Sequence, residues 1–126
     1  MFKIDNNTKQ INLTRGDAMT LKIKAKKADG TDYQFSIGDI VRLQIFTRKD
    51  CSEVLLRKEI AVEEETTTVS ISLSGEETKL GDLINKPLAY WYEIELNPDT
   101  VPQTIIGYDE NGEKIFMLYP EGGEEE

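Results

Sequence analysis

Apolar and polar side chains alternate along most of this chain. The alternation is regular over residues 19–25, 41–45, 69–74 and 90–96. Because successive side chains of a β-strand point to opposite faces, each of these segments is expected to have one buried face and one solvated face. This pattern is typical of antiparallel sheets that face water on one side.

Turn-forming residues separate these segments from weaker strands. The weaker strands are predicted over residues 2–4, 10–14, 54–62, 102–108 and 113–119. Asp29-Gly30 and Asn111-Gly112 favour hairpin turns, because Gly and Asn adopt positive φ at small cost. Residues 74–80 are expected to form at most one short helical turn. The sequence therefore predicts an all-β fold, an immunoglobulin-like antiparallel β-sandwich of about seven to nine strands.

The length of the chain fits one domain, since 126 residues can bury a sufficient core without a disulfide or a metal. We assign residues 1–120 to a single β-sandwich domain and residues 121–126 to a flexible acidic tail. The predicted core residues are Leu21, Ile23, Leu43, Ile45, Ile71, Leu73, Tyr92 and Ile94.

The charge balance narrows the choice of partners. The chain has 24 acidic and 15 basic side chains, which gives a net charge of −9. Such a chain repels phosphates and anionic lipids, so no nucleic acid or membrane partner is expected.

The first residues lack the apolar stretch of a signal peptide. We therefore expect a protein that is made in the cytoplasm and is not secreted by a signal peptide.

Candidate catalytic residues are hard to find. The chain contains no histidine and a single cysteine, Cys51, which excludes Ser-His-Asp and Cys-His catalysis, most zinc sites and any internal disulfide. No signal marks a carboxylate pair with a raised pKa in a cleft. Residues 109–113 faintly resemble a calcium loop, but glycine comes too early, which favours a hairpin. We expect no enzyme activity, no catalytic residue, no cofactor and no metal.

Trp91 is the most informative single residue. The alternation places it opposite the neighbouring tyrosines and on the same face as Glu93. Large aromatic side chains on a solvated face are enriched at protein interfaces, and they can also stack on sugars. Alternatively, a loop or the N-terminal strand covers the indole. Trp91 and Glu93 are therefore candidate interface residues.

Lys22 and Lys24 are the other candidate interface residues. Both project from the strand predicted over residues 19–25. A basic stripe of this kind can contact an acidic partner, but lysines also protect edge strands from aggregation. Both interpretations stay open from the sequence alone.

Three segments resemble a known family. Residues 11–17 (Ile-Asn-Leu-Thr-Arg-Gly-Asp), the alternating strand that follows and Asp29-Gly30 resemble the N-terminal domain of upper baseplate proteins of siphophages that infect Gram-positive bacteria. In that family a Gly-Asp turn precedes a strand, and an Asp-Gly hairpin follows it. Residues 71–78 and 89–94 also fit, the latter with a Tyr-x-Tyr-x-Ile strand. The resemblance spans residues 10–119.

The resemblance implies a non-enzymatic component of a phage or prophage virion, made in the host cytoplasm, that docks on other virion proteins. Upper baseplate proteins continue into stalk and receptor-binding regions. A single sandwich instead favours a baseplate or tail adaptor, a fibre-attachment domain or a capsid-surface component. In each of these roles the chain could also form a homo-oligomer. The alternatives are a carbohydrate-binding β-sandwich module that uses Trp91 and a small hydrolase based on carboxylates.

Overall fold

The structure is a computed structural model, and it describes residues 1–5, 7–109 and 112–121. This part of the chain contains nine β-strands and no helix. The strands are β1 (Phe2–Ile4), β2 (Ile11–Thr14), β3 (Met19–Ile23), β4 (Ile40–Phe46), β5 (Val54–Ala61), β6 (Val69–Leu73), β7 (Leu88–Leu96), β8 (Gln103–Ile106) and β9 (Lys114–Tyr119). Each lies within or close to a segment that the sequence predicts as a strand, so the all-β prediction is confirmed.

The strands form two sheets of unequal size. The large sheet has the order β1-β2-β9-β7-β4-β5, and β8 pairs with the C-terminal end of β7. The small sheet consists of β3 and β6. Buried side chains from both sheets share one core, which gives a β-sandwich. The immunoglobulin-like connectivity stays a prediction.

One strand pair departs from the predicted antiparallel arrangement. β2 and β9 pair in parallel, with Ile11 opposite Phe116 and Thr14 opposite Tyr119. The alternation of side chains identifies the faces of a strand but not its direction, so it could not predict this pair. The parallel pair places the N-terminal and C-terminal parts of the domain next to each other.

The core consists of inward-facing side chains of both sheets. All eight predicted core residues are buried. β3 and β6 show the clearest alternation, because every second residue is buried and the residues between are exposed. In the large sheet β7 contributes Tyr90, Tyr92, Ile94 and Leu96 to the core.

Residues 74–80, expected to form at most one short helical turn, form hydrogen-bonded turns. The Glu77 N–H donates to Ser74 Oγ at 3.2 Å, and the Ser74 N–H donates to Glu77 Oε1 at 3.0 Å. The Thr78 N–H also donates to the Ser74 carbonyl at 3.1 Å. This is the reciprocal bonding of a capping box. It stops after one turn because isolated short helices gain too few hydrogen bonds to persist.

Arg15 joins three segments at one end of the sandwich. Its guanidinium is almost fully buried and donates to the carbonyl groups of Leu80, at 3.4 Å, and Gly81, at 3.2 Å. It also lies 3.2 Å from the carboxylate of Glu121, the first residue of the predicted acidic tail. Residues 122–126, the rest of that tail, lie outside the described residues.

The shared core generates a stability prediction. Ile94→Ala should lower the free energy of unfolding by about 2–5 kcal/mol, because it removes buried methyl groups and leaves a cavity. Ile37→Ala is the control: this side chain is 70% exposed, so its loss should change stability by less than about 0.5 kcal/mol. Urea denaturation measures both changes. An unchanged midpoint for Ile94→Ala would contradict the assigned face of β7.

Candidate functional site

An apolar patch lies on the outward face of the large sheet. Trp91 in β7 is paired with Phe46 in β4 and with Ile115 in β9. Met117 lies two residues further along β9, on the same face as Ile115. We call Phe46, Trp91, Ile115 and Met117 the apolar patch. Three of these side chains are half-buried, whereas Phe46 is 2% exposed although it lies apart from the main core.

The alternation of β7 sets the orientation of Trp91. Tyr90 and Tyr92 point into the core, where their exposed fractions are 6% and 1%. Since adjacent side chains of a strand cannot share a face, the indole of Trp91 points outward. There it is half-buried between side chains of the two neighbouring strands.

The turn between β4 and β5 lies beside the apolar patch. Lys49 in this turn reaches across β7, and its Nζ lies 3.3 Å from Oε1 of Glu113, just before β9. Burial and then the negative charge of Glu93 raise the pKa of the Cys51 thiol in the same turn. A raised thiol pKa reduces the thiolate fraction, which disfavours a nucleophilic role for Cys51.

Paired polar side chains border the apolar patch along the same face. We call them the polar row: Arg42, Gln44, Arg57, Glu59, Glu95 and Asp99. Arg42 binds Glu59 and Asp99, with N–O distances of 2.6 and 2.9 Å. The amide oxygen of Gln44 accepts two hydrogen bonds from Arg57, at 3.2 and 3.0 Å. Most of these groups are therefore already partnered before any ligand arrives.

Glu93 lies between the apolar patch and the polar row. It follows Trp91 by two residues in β7 and is paired with Gln44. The close passage of Gly107 contributes to its burial, since a Cβ at Gly107 would lie 3.6 Å from the Cβ of Glu93. Burial raises the pKa of the Glu93 carboxyl, and the negative charge of Glu95 and a hydrogen bond between the two carboxyl groups raise it further. Glu93 therefore binds a proton more readily than an ordinary glutamate.

The four candidate interface residues fall on two separate surfaces. Trp91 and Glu93 lie on the outward face of the large sheet. Lys22 and Lys24 are exposed on and just after β3, in the small sheet, where Leu21 and Ile23 point into the core. The two pairs thus lie on opposite faces of the sandwich.

Three members of the apolar patch were missed from the sequence: Phe46, Ile115 and Met117. A signal for them exists, because Ile115, Phe116, Met117 and Leu118 form an apolar run without alternation. Such a run indicates a strand with apolar side chains on both faces. Ile45 and Phe46 form a shorter run of the same kind.

Other kinds of site find no support in the described part of the chain. Within it, no group of three or more His, Cys, Asp or Glu side chains is placed to hold a metal ion. Asp109 and Gly112 bond to each other as in a hairpin, while residues 110 and 111 of the calcium-like segment lie outside the described residues. No described segment is a helix long and apolar enough to cross a membrane.

Comparison of the chain with protein-family models, with curated proteins and with solved structures finds no match. The properties of the site therefore rest on its own geometry.

The raised pKa of Glu93 makes stability depend on pH in a defined direction. A carboxyl group whose pKa is raised by folding binds its proton more tightly in the folded chain than in the unfolded chain. The free energy of unfolding therefore falls as the pH rises from 4.5, the ordinary pKa of glutamate, through the higher pKa of the folded chain. Glu93→Gln removes this loss of stability, because glutamine does not titrate. The variant should be more stable than the parent at pH 7, and the difference should vanish below pH 4.5, as measured by denaturation.

Glu77→Gln is the matched control of opposite sign. A hydrogen bond from the Ser74 N–H, followed by one from Lys58, lowers the pKa of Glu77, so its charged form stabilises the folded chain. Glu77→Gln should therefore lower stability at neutral pH, and this loss should shrink as the pH falls through the folded pKa. A Glu93→Gln variant that is less stable than the parent at neutral pH would contradict the assigned environment of Glu93.

Proposed function

We propose that this chain is a structural component of a bacteriophage or prophage particle that acts by docking on other virion proteins. The observation that carries the docking role is the apolar patch around Trp91. A sheet face exposed to water normally carries polar side chains, whereas here three half-buried apolar side chains on β7 and β9 lie together beside the buried Phe46. Apolar side chains that stay partly solvated gain free energy when a partner covers them, which favours a docking role for this face.

The arrangement of the patch resembles that of a protein interface. Such interfaces have an apolar centre with aromatic anchors and a polar rim that stays partly solvated. Trp91 is the aromatic side chain at the centre, and the polar row supplies the rim on one side. Because the pKa of Glu93 is raised, its carboxyl group needs less free energy to take up a proton when a partner covers it.

The assignment to a phage particle rests on the sequence resemblance. Residues 11–17 form β2 and the turn that follows it, and residues 89–94 lie within β7. Trp91 belongs to the second of these segments, so the resemblance and the apolar patch coincide on β7. The proposal includes an immunoglobulin-like sandwich, synthesis in the host cytoplasm and assembly there as a baseplate or tail adaptor, a fibre-attachment domain or a capsid-surface component.

A carbohydrate-binding role is the runner-up, and the geometry favours it less. Stacking on a sugar needs an open ring face with hydrogen-bonding side chains free beside it. The indole of Trp91 is half-buried, and the side chains of the polar row bond mainly to one another. Both features suit a protein partner better than a sugar.

The particle assignment predicts that the protein co-purifies with virions. Particles released by the source cells would be purified by density gradient and digested for mass spectrometry. Peptides of this chain should appear at a constant ratio to the other virion proteins across the particle peak. Their absence from intact particles would reject the assignment, whereas retention of the pure protein on a glycan array would favour the carbohydrate alternative.

The docking role predicts that Trp91→Ala weakens incorporation into particles. Loss of an aromatic anchor at the centre of an interface costs about 2 kcal/mol or more, which corresponds to at least about a thirtyfold weaker association. Incorporation would be measured by complementation of a phage that lacks the gene. Ile37→Ala is the control, because Ile37 is exposed in the turn before β4, whereas the partner of Trp91 lies at the other end of that strand.

Circular dichroism separates a docking defect from a folding defect. The Trp91→Ala variant should keep the strand spectrum of the parent, since the indole lies outside the main core. Normal incorporation of the folded variant would show that Trp91 is not an anchor. If the variant unfolds, the incorporation test is repeated with Met117→Ala, which removes a smaller side chain from the same patch.

A further inference from the structure

An open groove of about 1590 Å³ runs along β3, and its lining extends from the unpaired edge of this strand to Thr68 and Ser70 beside it. Its apolar lining includes Phe2 and Ile4 of β1 and Ile105 and Ile106 of β8. The side chains and backbone of β3 form the opposite wall. The groove is therefore bounded by strands of both sheets.

The small sheet ends at this groove. Within the described residues, β3 pairs with β6 along one edge, and no strand pairs with its other edge. Phe2 and Ile4 share the inward face of Leu13 and Ile11, their partners in β2. However, Phe2 and Ile4 are half-buried, whereas Ile11 and Leu13 are fully buried. The small sheet therefore covers the inward face of β1 only in part.

The free edge of β3 can bind an extended peptide. In an antiparallel pair, alternate residues turn their N–H and C=O groups away from the partner strand. These backbone N–H and C=O groups of β3 point towards the groove, where an added strand could form hydrogen bonds with them. Addition of a strand to an open sheet edge is an established mode of peptide recognition, in which backbone bonds give affinity and alternate side chains give specificity.

The rim of the groove is basic although the protein is acidic. The chain as a whole carries a net charge of −9, whereas the groove is lined by Lys9, Lys22, Lys24, Lys26 and Lys27. Of these, Lys26 is paired with Asp32. Among the described residues, neither Lys22 nor Lys24 has a carboxylate within ion-pair distance of 4.0 Å. The charge of this rim therefore complements a negative segment.

We infer that the groove binds an extended segment of a partner protein in which apolar and acidic residues alternate. The apolar side chains would face Phe2, Ile4 and Ile106, and the acidic ones would lie opposite Lys22 and Lys24. A second copy of the chain is a poor occupant, because pairing of two β3 edges would place like charges opposite each other. This inference rests on the proposed docking role for its choice of a protein partner, but it concerns a different surface.

The test uses the full chain and two capped peptides of five residues, the length of β3. In one peptide valine alternates with glutamate, and in the other valine alternates with lysine. The glutamate peptide should bind and slow amide hydrogen exchange in β3, and the lysine peptide should bind at least about tenfold more weakly. Lys22→Glu/Lys24→Glu should reverse this preference. Equal binding of the two peptides, or binding without protection of β3, would overturn the inference.

Lys79→Glu/Lys86→Glu is the matched control, since it makes the same change of charge in the segment between β6 and β7. It should keep the preference of the parent. Should Lys22→Glu/Lys24→Glu fail to fold, Lys22→Gln/Lys24→Gln should abolish the preference without reversing it.

Protection of β3 that grows with protein concentration alone would assign the groove to a second copy. Faster exchange in β3 after removal of residues 122–126 would assign it to the chain's own tail. Either result would overturn the inference.

The two proposals fail separately. Trp91→Ala leaves the groove intact, so this variant should bind the glutamate peptide as the parent does. Lysine-dependent peptide binding by a protein that is absent from virions would reject the particle assignment and leave the groove assignment standing.

Discussion

The alternation of β7 is the constraint on which the rest of the structure depends. This nine-residue strand pairs with β4 along one edge and with β9 and β8 along the other. A slip of one residue would turn Glu93 and Glu95 into the core and expel Tyr92 and Ile94. Burial of two carboxylates would cost several kcal/mol. The same alternation that builds the core therefore also fixes Trp91 on the outward face.

Local periodicity made the strands and their faces predictable from sequence, while long-range pairing remained hidden. The inward positions of Leu21 and Ile94 follow from neighbours two residues away, so a short window suffices. The parallel pairing of Ile11 with Phe116 joins residues far apart in the chain, and no local pattern encodes it. The division into seven strands and two, which opens the groove beside β3, depends on such pairings. The candidate site was predicted only through Trp91 and Glu93.

The two roles proposed for Lys22 and Lys24, protection of a strand edge and selection of a partner, are compatible. A basic edge resists pairing with another copy of itself, because like charges on adjacent strands repel. The same charges attract a strand of opposite charge. Protection against self-association and selection of an acidic partner thus follow from one arrangement. What distinguishes β3 from a merely protected edge is the apolar floor beside it, where Phe2 and Ile4 are half-buried.

The two proposed surfaces lie on opposite faces, so two partners can bind at once without competition. Their physical bases also differ. The apolar patch gains its affinity from burial, which salt affects little, whereas the basic groove gains partner choice from charges that salt screens over about 8–10 Å. Raised ionic strength should then weaken the contact at β3 before the contact at Trp91. Under the proposed docking role, the two contacts would therefore respond differently to salt, because only the contact at β3 depends on charge.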